Sequence, residues 1–421
     1  MLKKSIYIPV ILMFLSSCRI SDEHIIQFTN MHLDSYYYVD KTTKTLQCYG
    51  ANANIITCYD LIGKEKLWEF PSDKLAYDRL RTVNYMYNSF DGNILMSLSY
   101  RELEEKNSNI CIVNVFSGKV LKKLGITGYV YYTIKEGNSL YAVIGVNDVG
   151  IDRNGISDDV LIIRIDLLSL KWSIIFKLSD TGQSMKYKSE YLNIHLPLVI
   201  IDDMILFYTH YPYCAYNKHY LYSINKNNGD IYWKKNVLSN FAVDKINCFV
   251  YFVNDNFVLI KKNIGTDEEF VIAEFKKELN DSILNYNIMI NNNIIFIYDY
   301  NCSEGYIYND MMKKITTFSE LKLARQNISL FDRMQSAYYI LYDDENIIYW
   351  DQKNKSIKKY NFLKNTEVEI LKLGKNKDVG YFEKYDNGVV FIISSPNMSY
   401  TFGAGSHDAV YTVLLPKDCY E

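Results

Sequence analysis

The chain has 421 residues, is 48% apolar and 15% aromatic, and carries a formal charge of −3. The apolar content gives ample core for a large folded body, and the slight acidity without any long basic block argues against a nucleic-acid partner. Tyrosine is the outlier: its 39 copies spread over the whole length, as in a β-rich chain that uses tyrosine on half-exposed sheet faces.

The chain opens with "MLKKSIYIPVILMFLSSC". Lys3 and Lys4, then an apolar run from Ile6 to Leu15, then small residues, have the layout of a secretory signal over residues 1–17. The run is shorter than the roughly 20 apolar residues that span a bilayer. Leu15 to Cys18, "LSSC", resembles the lipobox of bacterial lipoproteins. That resemblance implies an acylated Cys18 as mature N-terminus, anchored to a membrane through its acyl chains, with residues 18–23 as tether. Arg19, where such lipoproteins retained in the inner membrane have aspartate, implies the outer membrane, on its periplasmic side. Asp22 and Glu23 resemble a surface-export signal and leave the cell surface as the alternative.

Of the eight cysteines, seven follow Cys18, and an exported chain meets an oxidising compartment. The candidate disulfide joins Cys48 to Cys58. In "CYGANANIITC" a three-residue turn at Asn52–Asn54 sets Ala51 opposite Ile55 and Cys48 opposite Cys58.

A unit then recurs along the chain: apolar strand, Asn or Asp, a turn with Gly, and an apolar strand bearing Trp. "ITCYDLIGKEKLWEF" from Ile56 holds Asp60, Gly63 and Trp68. "CIVNVFSGKVLKKL" from Cys111 holds Asn114 and Gly118, and "IIRIDLLSLKWSIIFKL" from Ile162 holds Asp166 and Trp172. "YSINKNNGDIYWKKNV" from Tyr222 holds Asn225, Gly229 and Trp233. Weaker copies start at Val258, Gly305 and Ile347, and "AVYTVLLP" from Ala409 reads as a truncated last copy. Each is preceded by another strand-like run after a turn signal. The spacing of Asp60, Asn114, Asp166, Asn225, Asn309 and Asp351 runs from 42 to 59 residues apart from one long gap that holds the Val258 copy. Units of that length with about four strands predict an all-β fold, a β-propeller of four-stranded blades. Eight blades fit best, with seven as the alternative. One domain is expected over residues 24–421, with "HIIQF" (His24 to Phe28) supplying the outer strand of the last blade so that both chain ends close the ring.

This pattern resembles the repeat of pyrroloquinoline-quinone-like β-propellers. In that family the blade tryptophan docks on the neighbouring blade, which implies docking roles for Trp68, Trp172 and Trp233 and turn roles for Gly63, Gly118 and Gly229. The quinone enzymes of the family use acidic metal ligands and, in many of them, a vicinal disulfide. No Cys-Cys pair exists here, so no cofactor is expected.

Catalytic motifs are lacking: there is no GxSxG, GxGxxG or GxxxxGK[ST] in the chain. "GIDRNGISDD" offers Asp152, Asn154 and Asp158 as a partial calcium loop, but Gly150 and Leu161 stand where the carboxylates at its first and twelfth positions belong. "HYPYCAYNKH" puts His210, Cys214 and His219 on one loop without a second ligand pair. No metal is expected at either. The expectation is a non-enzymatic monomeric ring that presents one propeller face to a protein partner, resembling the outer-membrane assembly-factor lipoproteins. The alternatives are an immunity lipoprotein that neutralises a toxin, a surface lipoprotein that binds glycan through Tyr and Trp, and an enzyme at the channel mouth.

Overall fold

A computed structural model describes residues 25–28, 36–40, 43–50, 55–60, 62–63, 65–70, 87–99, 107–146, 159–178, 193–210, 219–275, 286–291, 294–299, 305–309, 314–317, 339–341, 343–351, 354–374, 378–385, 388–394 and 410–416. These residues are almost wholly strand and turn. They form four-stranded sheets, eight among the described residues, in which every strand but β1 is hydrogen-bonded to a neighbour in sequence.

The first sheet is β2 (Tyr36–Asp40), β3 (Thr45–Gly50), β4 (Ile55–Asp60) and β5 (Glu65–Phe70), following β1 (Ile25–Phe28). The second is β6 (Tyr87–Phe90), β7 (Asn93–Ser99), β8 (Asn107–Asn114) and β9 (Val120–Thr127). The third is β10 (Tyr129–Glu136), β11 (Ser139–Val146), β12 (Asp159–Asp166) and β13 (Lys171–Lys177). The fourth is β14 (Asn193–Ile201), β15 (Met204–His210), β16 (His219–Asn225) and β17 (Ile231–Val237). The fifth is β18 (Ala242–Asp244), β19 (Phe249–Val253), β20 (Val258–Asn263) and β21 (Glu269–Glu274). The sixth is β22 (Tyr286–Asn291), β23 (Ile294–Asp299), β24 (Gly305–Asn309) and β25 (Lys314–Thr317). The seventh is β26 (Tyr339–Leu341), β27 (Asn346–Asp351), β28 (Ser356–Asn361) and β29 (Thr366–Lys372). The eighth is β30 (Asp378–Tyr385), β31 (Gly388–Ser394) and β32 (Val410–Pro416), and β1 pairs with β32 as its fourth strand. The strand read in "HIIQF" thus takes the edge of the last sheet, beside the truncated final copy.

Two compact units hold these sheets. Phe28–Met334 carries the first six, and Met1–Gln27 with Gln335–Glu421 carries β26 to β32 with β1 up to Gln27. In the larger unit each consecutive pair of sheets encloses its own core. Leu140, Ala142 and Ile144 of β11 pack with Leu95, Ile110 and Ile112 of the second sheet. The alternate residues Tyr141 and Val143 pack instead with Ile205, Phe207 and Tyr222 of the fourth. Side chains alternate across a strand, so a middle sheet covered on both faces needs apolar residues at odd and even positions alike. This is why the inner strands read as unbroken runs such as "LYAVIGV" and "MILFY".

One feature of the outer ladders escapes the sequence. In seven pairings of a third with a fourth strand the register slips by one residue: at Cys58/Tyr59, Ile112/Val113, Ile162/Ile163, Ser223/Ile224, Leu259/Ile260, Ile307/Tyr308 and Ile357/Lys358. A bulge bends and twists its strand and re-aims the side chains beyond it. Here it turns Trp68, Ile175, Ile272 and Ile370 into buried positions on strands otherwise largely open to solvent.

Two sequence expectations are corrected here. In the β3–β4 hairpin Gly50 lies opposite Ile55, Cys48 opposite Thr57, and Cys58 opposite Gln47. The connection is one residue longer than the expected turn, and a one-residue slip changes every cross-strand partner. Cys58 accordingly lies in no disulfide; its Sγ lies 3.7 Å from the carbonyl oxygen of Val115 and 3.8 Å from Nε2 of Gln47. The copy read from Ile347 is also out of frame. Asp351 ends β27, a second strand, and the residue equivalent to Asn114 is Asn361 at the end of β28.

Candidate interaction surface

Each sheet is antiparallel, so its first-to-second and third-to-fourth turns emerge at the same end of the strands. Local chemistry fixes these turns. Asn114 Oδ1 accepts hydrogen bonds from the Phe116 and Ser117 N–H groups at 3.2 and 2.9 Å and from Ser117 Oγ at 2.9 Å. Asp166 does the same for Leu168, Ser169 and the Ser169 hydroxyl. Those bonds from Ser169 hold the Asp166 carboxyl below its ordinary pKa. Asn225 serves Asn227 and Asn228, Asp244 serves Ile246 and Asn247, and Asn361 serves Leu363 and Lys364. Asn and Asp are favoured at turn starts because the short side chain can bond the backbone ahead of it.

Four residues after each such Asn or Asp the backbone turns left-handed, at Gly118, Leu170, Gly229, Cys248, Lys355 and Asn365, and likewise at Lys44 after Asp40. Gly118 and Gly229 therefore hold the turn positions expected of them. Gly63 also lies in its turn, between β4 and β5, but three residues after Asp60 and without a positive φ. It is small because a Cβ there would meet Asp60 Oδ2 at 2.6 Å. Glycine occupies only two of these left-handed positions, so a search for Gly recovers only part of the pattern.

The turns are also where neighbouring sheets lock. Trp68 is 8% exposed, and its Nε1 donates to the Val115 carbonyl at 2.6 Å, in the turn of the next sheet. A Cβ on Gly118 would lie 2.8 Å from the Trp68 ring. Trp233 repeats the contact, donating from Nε1 to the Ile264 carbonyl at 3.0 Å. Val115 and Ile264 each directly follow the turn-starting Asn114 and Asn263. Trp172 departs from the expected docking role, being 41% exposed. It comes six residues after Asp166, where Trp68 and Trp233 come eight after Asp60 and Asn225. In register it faces Ile165, whereas Trp68 and Trp233 face Cys58 and Ser223 across the bulge. Ile175 takes the docking place: a Cβ on Gly229 would lie 1.9 Å from its carbonyl oxygen.

Polar ties brace the third sheet against the fourth at the same end. Lys226 Nζ reaches Glu136 Oε2 at 2.8 Å. Arg164 donates to Ser139 Oγ at 3.1 Å and to Asn227 Oδ1 at 3.4 Å. Within the fourth sheet, Tyr232 donates its hydroxyl to Asp203 at 2.8 Å, which raises the phenol above its ordinary pKa, and accepts from Asn225 Nδ2 at 2.6 Å. Against this rigid frame the second residue after the turn-starting Asn or Asp points into solvent. Ile62 is 76% exposed, Phe116 60% and Leu168 63%, at equivalent places in three consecutive sheets of the larger unit. In the smaller unit Leu363 holds that place and is also exposed.

The histidine loop is not a cluster among the described residues: His210 ends β15 and His219, buried, begins β16. Cys214 lies outside the described residues, as do Cys18, Asp152 and Asn154 with Asp158. No group of three or more His, Cys, Asp or Glu is placed to hold a metal among the described residues. The exposed apolar tips were missed from sequence because each is a lone apolar residue inside a polar turn; their common offset from Asn or Asp is the signal that finds them.

No protein-family model matches the chain, and no curated protein sequence matches it. Solved structures do. BamB from Moraxella catarrhalis aligns over 93% of this chain and 98% of its own at 9% identity and a TM-score of 0.54. Sqt1 from Saccharomyces cerevisiae aligns over 93% and 98% at 10% identity and 0.56. A europium-containing methanol dehydrogenase aligns over 92% of each chain at 10% identity and 0.51. At such identities the likeness shows a β-propeller fold alone, since one fold hosts enzymes and scaffolds alike.

Proposed function

We propose that the protein is a non-enzymatic, lipid-anchored propeller scaffold that binds a partner protein at the outer membrane. The observation that carries the protein-binding role is the row of Ile62, Phe116 and Leu168. Scattered apolar residues on a surface need no explanation, but the same exposed apolar position on three successive hydrogen-bonded turns has no folding reason. Apolar tips on a pre-ordered frame lose little entropy when they dock. The anchoring role rests on the signal layout and on Cys18, and the reading takes the eight sheets as eight blades of one ring completed by β1.

The test is recovery of partners from outer membranes with the tagged full chain. The comparison includes a Cys18→Ala variant and a triple variant with Ile62, Phe116 and Leu168 changed to Ser. The reading expects partner proteins of β-barrel assembly, lost in the triple variant, and palmitate labelling lost in Cys18→Ala. A single toxin as the captured protein replaces the assembly role by neutralisation. Unchanged recovery in the triple variant removes the turn face from the argument.

A further inference from the structure

The second sheet of the larger unit ends on an open ladder edge. β9 is the last strand of the order β6-β7-β8-β9 and, among the described residues, pairs with β8 alone. Its first four residues, Val120 to Lys123, are all exposed, Val120 to 37% and Leu121 to 49%. Side chains alternate across a strand, so four exposed residues in a row mean that both faces of this half-strand stand clear of other sheets. The bulge beside Val113 sits within it and leaves Leu121 without a cross-strand partner.

Its charge is one-sided. Lys119, Lys122 and Lys123 lie within five residues, and no acidic residue occurs from Val115 to Thr127 in a chain that is acidic overall. The edges β5, β17 and β13 differ. On β5, Lys66 pairs with Glu69 at 3.2 Å. On β17, Lys235 pairs with Glu269 of β21 at 2.6 Å. On β13 the two lysines, Lys171 and Lys177, stand at opposite ends of the strand.

We propose that β9 receives an extended segment of another protein, acidic and apolar in alternation, by strand addition. Main-chain hydrogen bonds to the open edge give such a contact its affinity, and side chains on alternate positions give it selectivity. Glutamates would meet Lys119 and Lys122, and small apolar side chains would cover Val120 and Leu121 on the other face. Two other occupants fit less well. A bilayer would leave the edge N–H and C=O groups unsatisfied in hydrocarbon. A second copy pairing β9 to β9 would bring lysine against lysine, a device that keeps edges apart. This surface is separate from the turn tips and does not need them.

A labelled synthetic peptide of alternating glutamate and valine, with a lysine–valine counterpart, tests it on the full chain by fluorescence anisotropy. The glutamate peptide should bind, more weakly as salt is added, and should slow amide exchange at Val120–Lys123. The exposed double variant Lys119→Glu with Lys122→Glu should lose about tenfold in affinity for it and gain affinity for the lysine peptide. Equal binding of the two peptides, unchanged binding in the double variant, or unaltered exchange in β9 would overturn the proposal. So would sedimentation with phosphatidylglycerol vesicles in the absence of peptide binding. The membrane pull-down and this assay read different residues, so either can fail alone.

Discussion

Replacing Trp68 by alanine tests whether sheets dock through their turns. An indole buries about 150–250 Å², or about 4–6 kcal/mol at roughly 25 cal/mol per Å². Trp68 is nearly fully buried, beside Ile94, Met96, Cys111 and Val113 of the next sheet. Alanine retains a little of that burial and the site collapses in part, so the expected loss is about 3–5 kcal/mol. Trp68→Phe keeps most of the ring but removes the Nε1 donor at 2.6 Å and leaves the Val115 carbonyl only the weak Cys58 thiol at 3.7 Å, for about 1–2 kcal/mol. Trp172→Ala, on a residue open to solvent, should cost under about 1 kcal/mol. Guanidinium unfolding followed by far-ultraviolet circular dichroism ranks the three variants. Equal costs at Trp68 and Trp172, or a loss below about 1 kcal/mol at Trp68, would falsify the docking assignment.

Two further outcomes follow from the same geometry. Gly92 and Gly229 both have positive φ, +68° and +77°, but a Cβ on Gly92 has nothing within 4 Å while one on Gly229 strikes the Ile175 carbonyl. Gly92→Ala should therefore cost about 1 kcal/mol from backbone strain alone, and Gly229→Ala about 3 kcal/mol or more; similar thermal shifts for the two would refute the close approach. The buried Cys111 thiol is pushed up to about 11 by desolvation, against 9.0 for a free thiol. It keeps its proton in the folded chain where the unfolded chain loses it, so its stabilisation is complete below pH 9 and is lost as pH rises through 9 to 11, by about 2–3 kcal/mol. Melting temperatures of the wild type and Cys111→Ala across that range should diverge below pH 9 and converge above 11. Parallel curves would contradict the assignment.

The repeat was legible because its chemistry is local. Asn114, Asp166 and Asn225 bond the backbone two and three residues ahead, and a glycine or another left-handed residue ends the turn, whatever surrounds it. Unbroken apolar runs such as that of β11 likewise announce strands covered on both faces. The last sheet's fourth strand was readable by count instead, as an apolar segment early in the chain for a final copy that lacks one.

Register was not local. A single extra residue between β3 and β4 placed Cys58 opposite Gln47 rather than Cys48, and no property of "GANAN" fixes that length in advance. The bulges, too, arise where a fourth strand must bend to meet the turn of the next sheet. They decide that Trp68 and Trp233 dock while Trp172, two residues nearer its turn, faces water. Sequence alone determined the class of fold and the turn chemistry. Tertiary structure decided which tryptophans hold sheets together, which apolar side chains are left in solvent, and which strand edge is open, because each depends on a neighbour some 30 to 60 residues away.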